Sequence, residues 1–450
     1  MLPALSSVTP AAERQVTSAL QGHRLTNVNV WSADGAWIVY DTRPRDDQFL
    51  GRTIERVSLA SGAVEVIYTA TDGAHCGVVT AHPLTSSAVF ILGPERPTPD
   101  WSYATTRRRG VVVDAVRPGK GRSLDAMTYG PPFVPGALRG GSHVHVFSPD
   151  GTRVSFTYDD EVLARLGSDP DAGHDLNQRN LGVSLLGKPV RVGGGHPRNQ
   201  DGDTFSVVVS RTVNRPRPGS DEISRACEEG WVGLEGYLRA DGSRQRYALA
   251  FQGTVTAPDG SPHVEVFIVD LPDDLTQRGE EPLEGTAVRR PAPPLGVRQR
   301  RLTFTAGSHQ PGVAVQPRHW LRASPDGSQI AFLMKDGDGV VQLWTVSPNG
   351  GPVRQVTRNV QSIASAFTWS PDGRRLAHVM DDRVCLTEVG SGLTVRLTPR
   401  TLDPKDGPRP FACVFSPDGR KVAFARSVEQ GAGRFDQIFV VDVPAAPSEQ

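Results

Sequence analysis

A four-residue turn string, Ser-Pro-Asp-Gly, recurs along the chain and constrains its fold more than any other feature. It occurs at 148–151, 324–327, 370–373 and 416–419, and the variant Ser-Ala-Asp-Gly occurs at 32–35. Each string follows a short apolar segment, such as HVHVF or FACVF, and precedes a second one, such as RVSFTYD or KVAFARS. Proline presets φ at the first corner of a turn and Asp-Gly suits the positions after it, so each string predicts a β-hairpin.

Two further strands follow several of these hairpins. One is rich in β-branched residues, as in VVQLWTV (340–346) and QIFVVDV (437–443). The other carries an R-x-x-T-like string, as in VRQVT (353–357) and VRLT (395–398). Four antiparallel strands in a repeat of roughly 40–45 residues form the unit of a β-propeller blade. The repeat therefore predicts an all-β fold.

The repeats predict a single domain, residues 1–450, folded as a seven-bladed β-propeller of four-stranded antiparallel blades. The predicted blades are 27–70, 74–128, 143–212, 228–305, 318–358, 362–400 and 409–445. The second and fourth repeats are cryptic, because TAHP replaces the turn string in one and RADG (239–242) replaces it in the other. Segments 161–180 and 273–300 are predicted surface insertions.

The last repeat shows no fourth strand after FVVDVP. The N-terminal segment ERQVTSAL (13–20) matches the fourth-strand string VRQVT (353–357). We therefore expect the N-terminal segment to supply the outer strand of the last blade, which closes the ring and removes an open sheet edge.

Charge and cysteine usage exclude several classes of function. Lys+Arg and Asp+Glu are both 49, so no global field attracts nucleic acid or an anionic membrane. No apolar run is long enough to span a bilayer, and no Walker or GxGxxG string indicates a nucleotide cofactor. The four cysteines (76, 227, 385 and 413) form no CxxC pair. Free thiols and an N-terminus without a signal-peptide pattern favour the cytoplasm.

Four longer strings resemble an uncharacterised bacterial propeller family that is related to TolB-like, WD40-like propellers through the repeat. They are GGSHVHVFSPDG, PGSDEISRACEEGWVGLEGYLRADG, RRPAPPLGVRQRRLTFT and RHWLRASPDGSQIAFLMKDGDGVVQLWTVSPNGG. The resemblance implies the propeller fold and says little about function. A more distant, architectural likeness is to the oligogalacturonate lyases, cytoplasmic propellers in which histidines and a glutamine hold a divalent metal in the central channel.

Histidines gather where innermost strands begin, at the mouth of the channel where loops of several blades converge. His143 and His145 are two residues apart on one predicted strand and should share a face. Counted from the turn string, His319 and Asn27 occupy in their repeats the place that His143 occupies in its own. We predict that His143 and His319 are catalytic. The candidate ligands of one divalent metal (manganese, zinc or calcium) are His143, His145, His319, His75 and His309.

Arginines near the same mouth suit an acidic ligand, because a guanidinium binds a carboxylate with two hydrogen bonds. Arg318 is a predicted catalytic residue. The predicted substrate-binding residues are Asn27, Arg139, Arg322 and Trp320, the last by stacking on a sugar ring. Each side chain has a structural alternative: a hydrogen bond to a backbone carbonyl, an internal ion pair, or packing in the core.

Two functions fit these observations. The first is a carbohydrate-active enzyme of the lyase type that acts on acidic oligosaccharides, with a metal or arginine neutralising the carboxylate and a histidine removing the adjacent proton. The second is a non-catalytic propeller scaffold that binds a protein or a glycan. The expected partner is in either case a small carbohydrate or a protein ligand at the channel mouth, and neither nucleic acid nor a membrane.

Overall fold

The computed structural model describes residues 12–401 and 403–444, and there the chain forms a seven-bladed β-propeller. Each blade is an antiparallel sheet. In blades 2–6 the strands follow chain order outward from the central channel, whereas the outermost strand of blade 7 comes from the N-terminal segment. The predicted all-β class and number of blades are confirmed. Residues 1–11, 402 and 445–450 of the predicted domain lie outside the described residues.

The first three blades come from the N-terminal half of the chain. Blade 1 has the strands Trp37–Asp41, Thr53–Ser58 and Val64–Thr69, and its innermost segment pairs through a bridge between Trp31 and Ile38. Blade 2 has Cys76–Ala81, Ser87–Leu92, Arg109–Asp114 and Arg122–Ser123. Blade 3 has Gly140–Phe147, Arg153–Asp160, Asn180–Val190 and Gly202–Val208.

Four further blades complete the ring. Blade 4 has Arg225–Trp231, Tyr247–Thr256, Pro262–Leu271 and Arg298–Arg301. Blade 5 has Arg322–Ala323, Ile330–Lys335, Val341–Val346 and Arg354–Gln355, and blade 6 has Thr368–Trp369, Arg375–Met380, Arg383–Glu388 and Thr394–Arg396. Blade 7 has Val414–Phe415, Lys421–Gln430, Gly433–Asp442 and the N-terminal strand Glu13–Gln15.

Short elements decorate the blades. Ala126–Met127 and Ala137–Leu138 form a parallel pair beside blade 3. Tyr237–Leu238 and Arg244–Gln245 form a small hairpin inside blade 4, so the predicted RADG turn belongs to this hairpin and not to the blade's own first turn. Within the described residues, helix is limited to Glu161–Ala164 and the 3-10 turns Thr105–Arg107 and Pro404–Asp406. None of the described helices has the length and apolar character needed to cross a membrane.

The two predicted insertions lie against each other. Asp175, after the helix of blade 3, donates its backbone N–H to the Val288 carbonyl of the blade 4 insertion at 2.9 Å. Arg290 pairs with Asp175 at 3.3 Å and donates to Gln178 Oε1 at 2.7 Å. The insertions therefore connect blades 3 and 4.

The Ser-Pro-Asp-Gly turns share one hydrogen-bonding scheme. In the first turn, Ser32 Oγ donates to Asp34 Oδ1 at 2.5 Å and accepts the Trp37 backbone N–H at 3.0 Å. Gly35 has φ of +69°, in the left-handed region that favours glycine. In blade 2 the imidazole of His82 replaces this scheme, because its Nδ1 accepts the backbone N–H groups of Leu84 and Thr85. His82 is thus a turn residue.

Apolar clusters lie between each pair of neighbouring blades and form the core. Between blades 7 and 1, for example, Ile38 and Tyr40 pack against Val414 and Ile438. Three tryptophans directly before the turns add a hydrogen bond to the preceding blade. Their indole N–H groups donate from Trp31 to Val414, from Trp231 to Val146 and from Trp369 to Arg322, each to a backbone carbonyl.

The N-terminal strand closes the ring, as predicted. Arg14 lies opposite Val440, and the Val16 N–H donates to the Ile438 carbonyl at 2.8 Å. Arg24 of blade 1 pairs with Asp436 of blade 7. Backbone, apolar and ionic contacts therefore all join the first and last blades.

We expect Val16→Pro to destabilise the ring at this junction. Proline lacks the N–H that reaches the buried Ile438 carbonyl, and an orphaned buried acceptor costs about 1–3 kcal/mol. Val16→Ala is the matched control, since it removes similar side-chain contacts and keeps the N–H. Urea unfolding should show the larger loss for proline, with faster hydrogen exchange in 437–443. Equal losses in the two variants would contradict closure through this strand.

Candidate functional site

A cavity lies at each face of the propeller. The upper face is the one where the chain enters each innermost strand, and the lower face carries the Ser-Pro-Asp-Gly turns. The upper cavity has a volume of about 660 Å³ and is lined by five of the seven blades, through residues such as Arg43, Val78, His143, Cys227 and His319. The lower cavity has a volume of about 410 Å³ and is lined by all seven blades.

A β-bulge interrupts the innermost strands of blades 2, 3 and 4. The pairing shifts after Gly77, His143 and Cys227. The residue that follows each of them, Val78, Val144 or Glu228, has a positive φ of 53–60°. A bulge adds one unpaired residue to the strand and turns the side chains before it to a new direction. The bulges therefore decide what the upper cavity contains.

His143 and His145 do not share a face, which corrects the prediction from their spacing. His143 lines the upper cavity, whereas the bulge at Val144 turns His145 away from it. His145 is fully buried, with Nε2 2.9 Å from Ser142 Oγ and 3.9 Å from Asp125. Burial lowers the pKa of His145 to about 3. His145 is thus a neutral core residue between blades 2 and 3.

His319 and His143 occupy equivalent positions but have different roles. The regular innermost strand of blade 5 begins only at Arg322, so Leu333 has no backbone partner there and donates its N–H to His319 Nε2 at 3.1 Å. This bond fixes the proton on Nδ1, which donates to the Pro317 carbonyl at 3.0 Å. Ser365 accepts the Val379 N–H in the same way in blade 6. Although His319 lines the upper cavity, both its nitrogens bind backbone groups.

In blade 3 the backbone itself makes the corresponding contact. The innermost strand starts at Gly140 and pairs His143 with Thr157, so the imidazole is not needed as a backbone acceptor. His143 Nδ1 is buried without a hydrogen-bond partner among the described residues. Burial, and then the charges of Arg108 and Arg318, hold the pKa of His143 well below its usual value. His143 is a neutral imidazole with an unused nitrogen.

Several arginines line the upper cavity. In the described chain, Arg108 is the one among them with buried guanidinium nitrogens that have no hydrogen-bond partner. Its Nη1 donates to the Tyr103 hydroxyl at 3.2 Å, while Nε and Nη2 have no hydrogen-bond partner. The nearest carboxylate contact, to Asp159, is 3.8 Å from Nη2. Burial lowers the pKa of Arg108 from its usual value. The side chain is only 5% exposed, so these donors are desolvated and unsatisfied.

The other arginines of the upper cavity have partners inside the protein. Arg43 pairs with Asp41 at 2.7 Å and Arg179 with Asp159 at 3.2 Å. Arg318 binds Glu228 through two hydrogen bonds of 2.9 and 3.2 Å. Arg225 Nε donates to Cys227 Sγ at 3.4 Å, and burial raises the pKa of this thiol to about 11. These groups shape the cavity, and Arg108 is the arginine of its lining with buried donors that have no hydrogen-bond partner in the described chain.

A flat aromatic pair forms part of the same wall. The rings of Phe49 and Tyr103 stack with a centroid distance of 4.8 Å and an angle of 12°. Both residues line the upper cavity, and Tyr103 also accepts the hydrogen bond from Arg108. An aromatic face next to a free guanidinium offers contacts to a ring that bears an acidic group.

The predicted metal ligands do not come together. His145 faces the core, His309 is exposed on a loop, and both nitrogens of His319 bind backbone groups. His75 is half-buried and is absent from the lining of the upper cavity, which leaves His143 alone there with a free nitrogen. No cluster of three or more His, Cys, Asp or Glu side chains suited to a metal occurs in residues 12–401 and 403–444. The predicted ligands therefore do not form a divalent-metal site in the described chain.

All four predicted substrate-binding residues lie away from the upper cavity, and two of them, Arg139 and Trp320, have internal roles. Arg139 is fully buried, donates to Asp160 Oδ2 at 2.7 Å and to the Thr286 carbonyl, and ties the blade 4 insertion to blade 3. Trp320 is 5% exposed and packs in an apolar cluster with Val144. The Arg318 guanidinium lies 4.6 Å from its ring centroid. Arg139 therefore serves an internal ion pair and Trp320 serves core packing, which corrects their predicted substrate-binding role.

Asn27 and Arg322 contact each other below the upper cavity. Arg322 donates from Nη2 to Asn27 Oδ1, and its Nε has no partner in the described structure. Arg322 lines the lower cavity. Glu229, which is 1% exposed, accepts a hydrogen bond from Thr157 at 2.9 Å and leaves Oε1 unsatisfied. Burial raises the pKa of Glu229 to about 7.

Sequence reasoning missed Arg108, Tyr103 and Phe49. Their loops join the second and third strands of blades 1 and 2, whereas the search followed the innermost strands. The available signal was the run of three arginines at 107–109 directly before the strand string GVVVD. Such a run at the start of an apolar strand places at least one arginine against the buried side of the sheet.

Comparison with known proteins identifies a family to which the chain is related, but the matched family and relative have no described activity. Residues 75–200 match a family model described as a protein of unknown function (DUF3748). The chain is 49% identical over 416 residues to the uncharacterised protein YidR of Escherichia coli (strain K12), an alignment that covers 92% of this chain and 94% of that protein.

Solved structures of oligogalacturonate lyases are similar in fold. A lyase in complex with manganese matches with a TM-score of 0.53 and 12% identity, covering 98% of this chain and 95% of the lyase. The lyase of Vibrio parahaemolyticus matches with a TM-score of 0.54 and 11% identity, covering 98% and 96%. At this identity the likeness shows the fold alone.

We expect His319 and His143 to differ in their effect on stability. His319→Ala leaves the buried Leu333 N–H without an acceptor, which costs about 1–3 kcal/mol. His143→Ala removes no internal hydrogen bond and should change the free energy of unfolding by less than about 0.5 kcal/mol. Urea unfolding of both variants measures the difference. A loss of similar size in both would show that position alone, and not the bulge, sets their roles.

Glu229 should make the protein less stable as the pH rises. Its pKa is about 7 in the folded protein against a usual value of 4.5, so the folded state binds the extra proton between these values. Stability from this group is present at low pH and is lost as the pH passes 7. Glu229→Gln should therefore gain stability relative to the unmodified protein between pH 5 and pH 8, measured by thermal unfolding. Glu235→Gln, an exposed change in the same blade, should show no such trend.

Proposed function

The chain belongs to the family of the uncharacterised protein YidR, and we propose that it binds an acidic oligosaccharide in the upper cavity and cleaves it by β-elimination. The observation that carries the proposal is the joint presence of Arg108, with two unsatisfied buried donors, and His143, a neutral imidazole with an unused nitrogen. Oligogalacturonate lyases share the propeller fold, which motivates the choice of an acidic oligosaccharide as the ligand to test.

Arg108 binds the carboxylate of the ligand in this proposal. An unsatisfied buried donor costs about 1–3 kcal/mol, and a carboxylate supplies acceptors for both Nε and Nη2. Neutralising the carboxylate makes the hydrogen on the adjacent carbon more acidic, which is the first requirement of an elimination.

His143 is the base that removes this hydrogen. The C–H electron pair becomes the new C=C double bond, the C–O bond to the leaving sugar on the next carbon breaks, and the leaving oxygen takes a proton from the imidazolium or from water. Its pKa lies well below the usual value, so the imidazole is neutral near pH 7 and can accept a proton. A bound carboxylate raises that pKa, because an opposite charge stabilises the imidazolium form. The ligand thus makes the base stronger at the moment when it is needed.

The aromatic pair and the size of the cavity suit a sugar ring. The stacked rings of Phe49 and Tyr103 offer an apolar face to the C–H side of a pyranose, and Tyr103 is joined to Arg108 by a hydrogen bond. A cavity of about 660 Å³ is within the range of about 300–1,000 Å³ that is usual for small-molecule sites. No step of the proposed reaction runs through a metal, because the predicted ligands do not form a metal site in the described chain.

One observation favours a second function, the binding of an acidic glycan without cleavage. The same low pKa that keeps His143 neutral also makes it a weak proton acceptor. If the bound carboxylate does not raise this pKa enough, the cavity is a recognition site on a rigid scaffold.

We place either function in the cytoplasm, the compartment that four buried free cysteines favour.

Calorimetry with galacturonate oligomers, and with galactose oligomers as the neutral match, tests the binding step. Arg108→Gln should weaken galacturonate binding at least tenfold, because the variant loses at least one charge-assisted hydrogen bond to the carboxylate and the binding free energy that this bond contributes. Arg45→Gln is the matched control, since Arg45 lies on the adjacent loop with a side chain 66% exposed. Galactose oligomers should bind all forms weakly.

Ultraviolet absorbance of the unsaturated product tests the chemical step. His143→Gln should retain binding within about threefold and abolish the absorbance increase. Binding without any absorbance change in the unmodified protein would refute cleavage and leave the scaffold function. Equal affinity for acidic and neutral oligomers would refute both.

A further inference from the structure

The lower cavity is a second, partly open space with a different chemistry. The residue directly before each turn forms its wall, and these positions are mostly aromatic: Trp31, Phe147, Trp231, Trp369 and Phe415. Prolines of the turns line the rim, among them Pro149, Pro325, Pro371 and Pro417. The volume of about 410 Å³ suits a small molecule.

Most polar side chains of this wall are already bonded within the protein. The three tryptophan N–H groups donate to carbonyls of the neighbouring blades. Each turn serine donates to its own aspartate, as Ser370 does to Asp372 and Ser416 to Asp418. Thr368 donates to the Cys413 carbonyl at 2.7 Å. The wall therefore offers an incoming molecule mainly apolar surface.

Arg322 is the charged exception. It lines the lower cavity, is only 8% exposed, and leaves its Nε without a partner among the described residues. Asn27 is a neutral acceptor for its Nη2, and the carboxylates of Glu229 and Glu228 attract Arg322 electrostatically without a hydrogen bond to it. Of these two carboxylates, Glu229 has the larger electrostatic effect on Arg322, and its own Oε1 has no hydrogen-bond partner in the described chain.

We propose that the lower cavity binds a small amphiphilic carboxylate, with the apolar part against the tryptophans and the carboxylate on Arg322. The aromatic wall removes the hydrocarbon from water, and the buried guanidinium gains an acceptor for its unsatisfied donor. A neutral amphiphile leaves Arg322 unsatisfied, and a polar acid such as a sugar acid finds few partners on the wall. The site is independent of the upper cavity and of the function proposed for it.

Octanoate and its neutral match, octanol, test the proposal on the full-length protein. Three of the seven tryptophans line the lower cavity, so intrinsic fluorescence reports directly on its occupancy. Octanoate should bind with a saturable change in fluorescence and at least tenfold more tightly than octanol. Galacturonate should not compete for this site.

Two kinds of variant locate the binding. Ala323→Trp places in blade 5 the residue that blades 1, 4 and 6 carry directly before the turn, so the ring should accept it while the cavity fills. This variant should weaken octanoate binding at least tenfold, and Val360→Trp, at a 94% exposed position, should not. The double variant Arg322→Gln, Glu229→Gln removes both buried charges together and should reduce the preference for octanoate over octanol to less than threefold.

Three results would overturn the proposal. Equal affinity for octanoate and octanol would mean partitioning onto apolar surface without recognition of the charge. Undiminished binding to the Ala323→Trp variant would place the ligand elsewhere, and loss of binding in Arg108→Gln would place it in the upper cavity. Failure of the galacturonate experiments has no bearing on these outcomes.

Discussion

Closure of the ring is the constraint on which every other feature depends. Each blade buries both faces of its sheet, since an apolar cluster lies between every pair of neighbours. A blade at an open end would expose one of these faces and a sheet edge. The chain avoids both by pairing Val16 with Ile438 and by packing Trp31 against blade 7. Because both cavities are built from several blades, their geometry exists only in the closed ring.

Within that ring, the bulges give different roles to residues that occupy equivalent positions in the repeat. His143 and His319 stand at the same distance from their turns, yet one is an unused imidazole and the other supports Leu333. The difference arises because blade 3 extends its innermost strand past the bulge and blade 5 begins its strand later. A repeat can therefore keep one backbone plan and still vary the chemistry at its channel.

The same distinction explains how far the sequence could be interpreted. Turn strings and β-branched runs are local signals, so they predicted seven blades and the closing N-terminal strand. The bulge at Val144 has no local signal, because valine is disfavoured at positive φ and the strain is carried by the surrounding sheet. The two-residue periodicity of a regular strand therefore predicted, wrongly, that His145 faces the cavity. Arg108 was missed because it lies on a loop between the second and third strands of blade 2 and not on an innermost strand. Side chains brought together by loops of different blades lie beyond any local pattern.

The two cavities each contain a buried arginine that the protein leaves incompletely bonded. A protein interior normally pairs such donors, as Arg43 and Arg139 show in this same chain. Arg108 lies among paired charges and beside an aromatic pair, whereas Arg322 lines a cavity with an apolar wall whose polar groups are mostly bonded within the protein. Both cavities contain a guanidinium group, so the residues around that group decide which kind of carboxylate each cavity binds. A hydrophilic ring acid suits the upper cavity, and an acid with a hydrocarbon body suits the lower one.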